Sequence, residues 1–176
     1  MSPKKICYLN HDLKENTGAG RFGLALLGRL KEEYSDFQPT VLTAAGSSHP
    51  WEKPILYPDI LRLIFVLPRI RSVFKKCDII HALDGFPYGV IAAIASLGLG
   101  KKLVITAVGT GAFQAFESPI KKALFSWAYR RADRLVAVSN YTRREILSRV
   151  SDLDVSVINH AVDTEEFRVL DELTKE

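Results

Sequence analysis

Short runs rich in branched apolar residues alternate along this chain with longer stretches whose apolar positions recur every three or four residues. Lys5–Asn10 (KICYLN), Pro39–Ala44 (PTVLTA), Asp78–Ala82 (DIIHA), Lys102–Ala107 (KLVITA), Arg134–Val138 (RLVAV) and Val155–Ile158 (VSVI) predict strands. Between them, Gly20–Tyr34 predicts a helix with Phe22, Leu26, Leu30 and Tyr34 on one face. Asp59–Lys76 predicts a second helix, capped by Asp59 and kinked or interrupted at Pro68. Phe86–Leu97 reads as a small-residue helix able to pack closely on a sheet, and Pro119–Arg131 as a helix with Pro in its first turn. Asn140–Arg149 predicts a last helix, capped by Ser139 or slightly later by a Thr142–Glu145 capping box.

The strands are nearly continuous apolar runs, the pattern of parallel strands covered on both faces. Alternation of strand and helix then predicts an α/β fold, a doubly wound, mostly parallel sheet of Rossmann-like type with helices on both faces. Such sheets bind ligands beyond the carboxyl ends of their strands, so function is sought in the loops after Asn10, Ala44, Ala82, Ala107 and Val138. Residues 1–163 are expected to form this domain. The acidic stretch 164–176 shows no core face and is expected to be a linker toward a further unit.

Composition agrees with one globular domain: 176 residues, 47% apolar and 25% charged, which excludes disorder, collagen and coiled coil. Cys7 and Cys77 are too few for a disulfide scaffold and form no CxxC site, so buried thiols in a reducing cytosol are expected. The start lacks the apolar segment of a signal peptide. The longest uncharged stretch, Gly85–Gly100, has 16 residues broken by Gly and Pro, short of the ~20 that a spanning helix needs. A cytoplasmic protein is expected. The net charge of +4 hides a basic zone over 121–149 followed by an acidic 152–176, either an electrostatic contact surface or plain solvated faces.

Candidate chemistry begins with Gly18-Ala19-Gly20-Arg21-Phe22-Gly23, which matches GxGxxG and would let backbone N–H groups meet a phosphate at a helix start; the alternative is a flexible turn. Seven residues separate the strand from Gly18, and the second strand ends in Thr43-Ala44-Ala45 without an acid for a ribose, which discounts NAD and FAD. His81 and Asp84 stand at and just past the third strand's end, placed to bind an acceptor, although His81 would equally suit a hydrogen bond within the sheet edge. Gly109-Thr110-Gly111 forms a second glycine loop at the same edge, and Ser139 ends the next strand. The four histidines show no metal-ligand spacing, no metal is expected, and no GxSxG elbow or Cys–His pair marks a self-contained hydrolase. Segment 59–76 sets Arg62, Arg69 and Lys76 beside an apolar stripe, a pattern of a helix on an anionic membrane or of a covering helix with a basic solvated face. Trp51 and Trp127 lack basic interleaving, so nucleic acid is not expected as a partner.

Five segments together resemble the N-terminal half of retaining GT-B glycosyltransferases, the group 1 class usually numbered family 4. They are Asn16–Arg21, Asp78-Ile79-Ile80-His81-Ala82, Leu103–Thr110 (family "lvvTaHGt"), Ala132–Ser139 (family "ADrviavS") and Val157–Phe167 (family "vIpNGvDte.F"). The resemblance implies one half of a two-domain fold, an acceptor-binding domain whose partner is a C-terminal domain holding a nucleotide-diphosphate sugar. It implies no bound cofactor, with the sugar nucleotide as co-substrate and a sugar, lipid or other acceptor. Gly18, Gly20 and Arg21 would face the donor phosphates; His81, Asp84, Gly109, Thr110, Gly111 and Ser139 would shape the acceptor pocket. The domain alone is expected to be inactive, and peripheral contact with the inner membrane face through 59–76 is a further expectation. Two departures stand out. Val108 replaces the family's His, which leaves open a non-catalytic carbohydrate- or partner-binding module of the same descent. Asn159-His160-Ala161 replaces Pro-Asn-Gly in the hinge. A weaker alternative is another nucleotide-binding Rossmann enzyme.

Overall fold

A computed structural model describes residues 4–57 and 60–161. Seven strands form one sheet: β1 (Ile6–Asn10), β2 (Thr40–Thr43), β3 (Glu52–Lys53), β4 (Ile79–Ala82), β5 (Lys102–Ala107), β6 (Arg134–Ala137) and β7 (Val155–Val157). The order is β3-β2-β1-β4-β5-β6-β7 and every neighbouring pair is parallel. Five helices connect them: α1 (Gly18–Glu33), α2 (Ile60–Phe74), α3 (Val90–Ala95), α4 (Pro119–Arg131) and α5 (Asn140–Leu147). The doubly wound α/β class is therefore as expected, with one strand more.

Alternate strand residues divide the core in two. Cys7, Leu9, Leu42, Ile80, Ala82, Leu103, Ile105, Ala107, Leu135 and Ala137 face the larger cluster, which receives Ile70 and Phe74 from α2, Ile91 from α3, Phe125 and Tyr129 from α4 and Ile146 from α5. Tyr8 and Val41 face the smaller cluster, filled by Leu13, by Leu27 of α1 and by Leu83. Among the described residues one sheet face thus carries a single helix, and beyond it Val104 and Val136 stay half-buried. Cys7 and Cys77 are both free thiols within the larger cluster.

Four local expectations are corrected. Strand β3 has no apolar run to announce it: Glu52 accepts hydrogen bonds from the Ser47 N–H and hydroxyl, and Val41 N–H bonds to Trp51 O, so side-chain and neighbour contacts hold it. Helix α1 starts at Gly18, not Gly20, because Thr17 caps it, its hydroxyl accepting from Gly20 N–H at 3.0 Å. Its buried residues are Gly20, Gly23 and Leu27, while Tyr34 lies past the helix end and is exposed. Phe22, Leu26 and Leu30 of the predicted face do pack against the core, partly buried, while Gly20 and Gly23 set the closest approach of helix to sheet. The predicted helix from Phe86 begins at Val90, since Phe86 is extended (φ −127°, ψ 132°) within a wide π-type turn over Gly85–Gly89.

Helix α2 is not interrupted by Pro68; that residue sits on the exposed face, where water can take the carbonyl its missing N–H leaves free. The Asp59 cap and the linker 164–176 lie outside the described residues. Ser139 caps α5, its Oγ accepting from Thr142 N–H at 3.1 Å, so the alternative box starting at Thr142 does not form.

A methyl group on Gly20 would collide with the Lys14 backbone and lie 2.5 Å from Asp12 Oδ1, whereas one on Gly28 meets nothing within 4 Å. Gly20→Ala is therefore expected to destabilise the fold by about 2 kcal/mol or more. Gly28→Ala should stabilise by about 0.5–1 kcal/mol through helix propensity. Urea midpoints of the two variants check this contrast.

Candidate functional site

In an all-parallel sheet the carboxyl ends of all strands lie on one edge. The strand order runs outward in opposite directions from β1 and β4, so the topological switch point is the crevice between the loops that follow them. The β1 loop is built around Asp12, which is 1% exposed. Its Oδ1 accepts from Lys14 N–H at 2.9 Å and from the Thr17 hydroxyl at 2.6 Å. Thr17 in turn caps α1, so the buried carboxylate fixes where that helix starts. Helix α1 is long enough to present a positive N-terminal end to the crevice. His11 stands over the same carboxylate, its Nε2 3.9 Å from Asp12 Oδ2 and its side chain half-exposed. The other ring nitrogen, Nδ1, lies 2.7 Å from the hydroxyl of Tyr88, which belongs to the β4 loop. That bond joins the two sides of the crevice.

Asp84 follows β4. Its Oδ1 is buried and has no hydrogen-bond partner. Burial pushes the carboxyl up to about 7, against backbone hydrogen bonds from Gly85 and Phe86 that favour the anion. The raised value keeps a neutral acid population near neutral pH, able to donate as well as accept. Burial, followed by the charges of Asp84 and Asp12, pushes the Tyr88 phenol up, so it remains protonated. Gly111 of the β5 loop closes on Asp84: a Cβ there would lie 2.5 Å from Oδ1 and 2.9 Å from Oδ2. Gly109 has a left-handed backbone, φ +55°, with open space around it. The Thr110 side chain lies outside the described ones.

The residues singled out in the sequence divide clearly. Asp84 and Gly111 meet, and Gly18 opens α1 with nothing within 4 Å of its added methyl position. Gly20 is packed against the loop backbone and its N–H is already used by Thr17; Arg21 is exposed and its N–H bonds to Thr17 O. His81 points into the sheet layer: its Nε2 is 2.8 Å from the Thr106 hydroxyl and its ring centre 5.3 Å from that of Tyr8. Burial holds its imidazole down at about 4, hence neutral. Ser139 is engaged in the α5 cap, two strands away from β4. Val108 is half-buried beside the second glycine loop. The altered hinge also has a place: the His160 ring stacks on Phe22 of α1, centroids 4.5 Å apart and planes within 4°.

His11, Asp12 and Tyr88 were not among the sequence candidates. A polar triplet Asn10-His11-Asp12 directly at a strand's carboxyl end, with a capping Thr five residues after the Asp, is the signal that marks the first two. Tyr88 carries no such signal, because its role depends on a turn that the sequence pattern reads as helix.

A family model described as Glycosyltransferase Family 4 matches residues 17–166. A search among curated proteins finds no significant match. Among solved structures, Anabaena Alr3699/HepE in complex with UDP-glucose is similar with a TM-score of 0.66 and 19% identity, covering 93% of this chain and 45% of that one. A UDP-N-acetylglucosamine 2-epimerase from Rickettsia bellii gives 0.60 and 10%, covering 88% and 44%. A putative UDP-N-acetylglucosamine 2-epimerase from Listeria monocytogenes gives 0.57 and 15%, covering 86% and 43%. The chain spans less than half the length of these proteins.

Because the folded Asp84 holds its proton up to about pH 7, against an ordinary value of 3.8, its contribution to stability is full below pH 3.8 and lost as pH rises through 7. Asp84→Asn, which mimics the neutral acid, is expected to raise stability at pH 8 by up to about 4 kcal/mol and to change it little near pH 4. Thermal melts of both proteins at the two pH values measure this.

Proposed function

The chain belongs to glycosyltransferase family 4, and from that premise we propose that it is the acceptor-side domain of a two-domain enzyme moving a sugar from a nucleotide-sugar donor to a hydroxyl acceptor, with retention of configuration. The single observation that carries this reading is the pair of loops at the switch point, a capped helix start with an open Gly18 after β1 and a buried, unpartnered Asp84 oxygen after β4. A helix N-terminus favours the donor's diphosphate. A partly neutral carboxyl beside Gly111 suits an acceptor hydroxyl, which it can bind as donor or acceptor. Gly109 leaves the backbone open on that side, with Thr110 next to it in the loop. His81 is bonded instead to the Thr106 hydroxyl of β5.

On this reading the donor's base and sugar are held by a C-terminal domain that follows the hinge at His160, and the acceptor side alone does not turn over. The half-length coverage of HepE, a structure that contains UDP-glucose, supports that division. Val108 favours a second reading, a non-catalytic carbohydrate- or partner-binding module of the same descent. Absence of turnover in the full-length protein would favour it.

Gly18 separates binding from folding, because a Cβ there meets no protein atom within 4 Å. In the full-length protein, Gly18→Val is expected to lower turnover of the sugar nucleotide at least about 10-fold by blocking backbone approach to the phosphate. Its thermal midpoint should stay within a few degrees. Unchanged kinetics would reject the phosphate role.

Acting in the cytoplasm, the domain would also touch the inner membrane face through α2. Phe65 is 83% exposed there and lines, with Tyr57, Arg62, Val66 and Arg69, a groove of about 480 Å³. None of the described helices is long and apolar enough to cross a membrane, so contact would be peripheral. Vesicles containing phosphatidylserine should bind the protein at low salt and release it as salt rises, while Phe65→Ser weakens binding several-fold. Equal binding to neutral phosphatidylcholine vesicles would count against an electrostatic contact.

A further inference from the structure

One polar chain crosses the crevice from end to end. The Tyr88 hydroxyl meets His11 Nδ1 at 2.7 Å, His11 Nε2 faces Asp12 Oδ2 at 3.9 Å, Asp12 Oδ1 holds the Thr17 hydroxyl at 2.6 Å, and Thr17 caps α1 through Gly20 N–H. This arrangement selects a tautomer. A bare Nε2 lone pair would be repelled by the Asp12 carboxylate, so the hydrogen sits on Nε2 and Nδ1 accepts from the Tyr88 hydroxyl. Tyr88 is 2% exposed and its proton needs an acceptor, which the imidazole supplies. The gap of 3.9 Å to Asp12 is too long for a hydrogen bond. Asp12 already takes two donors on its other oxygen, and the His11 ring is half-exposed. The result is an N–H donor on a half-exposed ring held by the Tyr88 hydroxyl, on the same loop that sets the start of α1.

We propose that His11 is a catalytic residue whose Nε2–H donates to a phosphate oxygen of the leaving nucleoside diphosphate, alongside the N-terminus of α1. The inference rests on the glycosyl-transfer reading above. As the bond between the sugar's anomeric carbon and the phosphate oxygen breaks, its electron pair stays on the diphosphate. The acceptor oxygen bonds to the same carbon, and its proton passes to the diphosphate. Negative charge therefore grows on the phosphate oxygens in the transition state, and an N–H donated to them stabilises that state more than the ground state. Asp12 has a second part in this, since its charge keeps the Nε2 hydrogen in place. Tyr88 acts through His11 and is a positioning residue.

The full-length protein is assayed with UDP-glucose, GDP-mannose and ADP-glucose, each followed as release of nucleoside diphosphate. His11→Phe, which removes the donor, is expected to lower kcat about 100-fold while KM for the sugar nucleotide moves less than about three-fold. His11→Gln keeps an N–H and should recover to within about 10-fold of the parent. Tyr88→Phe removes the partner of His11 Nδ1 and should lower kcat about five-fold while KM for the sugar nucleotide stays within about two-fold. Wild-type turnover with His11→Phe within about two-fold of it overturns the inference and leaves the family reading intact. Equal losses in His11→Phe and His11→Gln, with a lowered thermal midpoint, also overturn it, because they indicate a structural role. No release from any of the three donors by the wild type overturns the glycosyl-transfer reading and this inference together.

Discussion

The site is organised by one buried carboxylate. Asp12 sits just past the end of β1 with almost no exposure, and an anion there persists only if donors surround it. Lys14 N–H and the Thr17 hydroxyl supply them, and that requirement folds the loop back on itself. Thr17 is thereby placed to cap α1, and the helix comes so close that only Gly fits at position 20. His11, on the other side of the same carboxylate, is held by the Tyr88 hydroxyl. Loop path and helix start are therefore consequences of a single buried carboxylate.

Asp84 shows the opposite arrangement. It keeps an oxygen unpaired in a buried place, a condition that lowers stability as soon as the group ionises. Well-packed neighbours over-determine that position: Phe125, Tyr129 and Phe116 form an aromatic group under the β4 loop, and the Tyr129 hydroxyl donates to Ala112 O at 3.0 Å. Gly85 packs directly on Phe125 and Tyr129. The rigid base holds a frustrated polar group at the crevice, as sites that must bind a polar ligand commonly do.

The fold by itself does not select a chemistry. Proteins named as a UDP-glucose complex and as epimerases share the same layered sheet at identities of 10–19%. At the sheet edge of this chain, Val108 stands after β5 and His11 follows β1. His160, in the altered hinge, stacks on Phe22 and ties the chain leaving β7 to the first turns of α1.

The chain's own pattern was sufficient for most of the architecture, because parallel strands buried on both faces must be continuous apolar runs and crossover helices must separate them. β5 and α4 fall where periodicity and Pro119 put them, and the Ser139 cap is local chemistry within three residues. Asp84 and Gly111 were legible only as a polar and a glycine position past strand ends; that they meet is a tertiary contact. What the pattern left undecided depends on contacts between distant segments. Strand β3 is held by neighbours rather than by its own residues. Gly20 looks like a ligand loop in one dimension and is a packing position in three. His81 shares its motif with Asp84 but points into the sheet, because successive strand residues alternate faces and the loop residue is released from that alternation. The pairing of His11 with Tyr88, 77 residues apart, exists only once β1 and β4 lie side by side. Burial and long-range approach set the charge state and direction of these groups, and no local pattern carries that information.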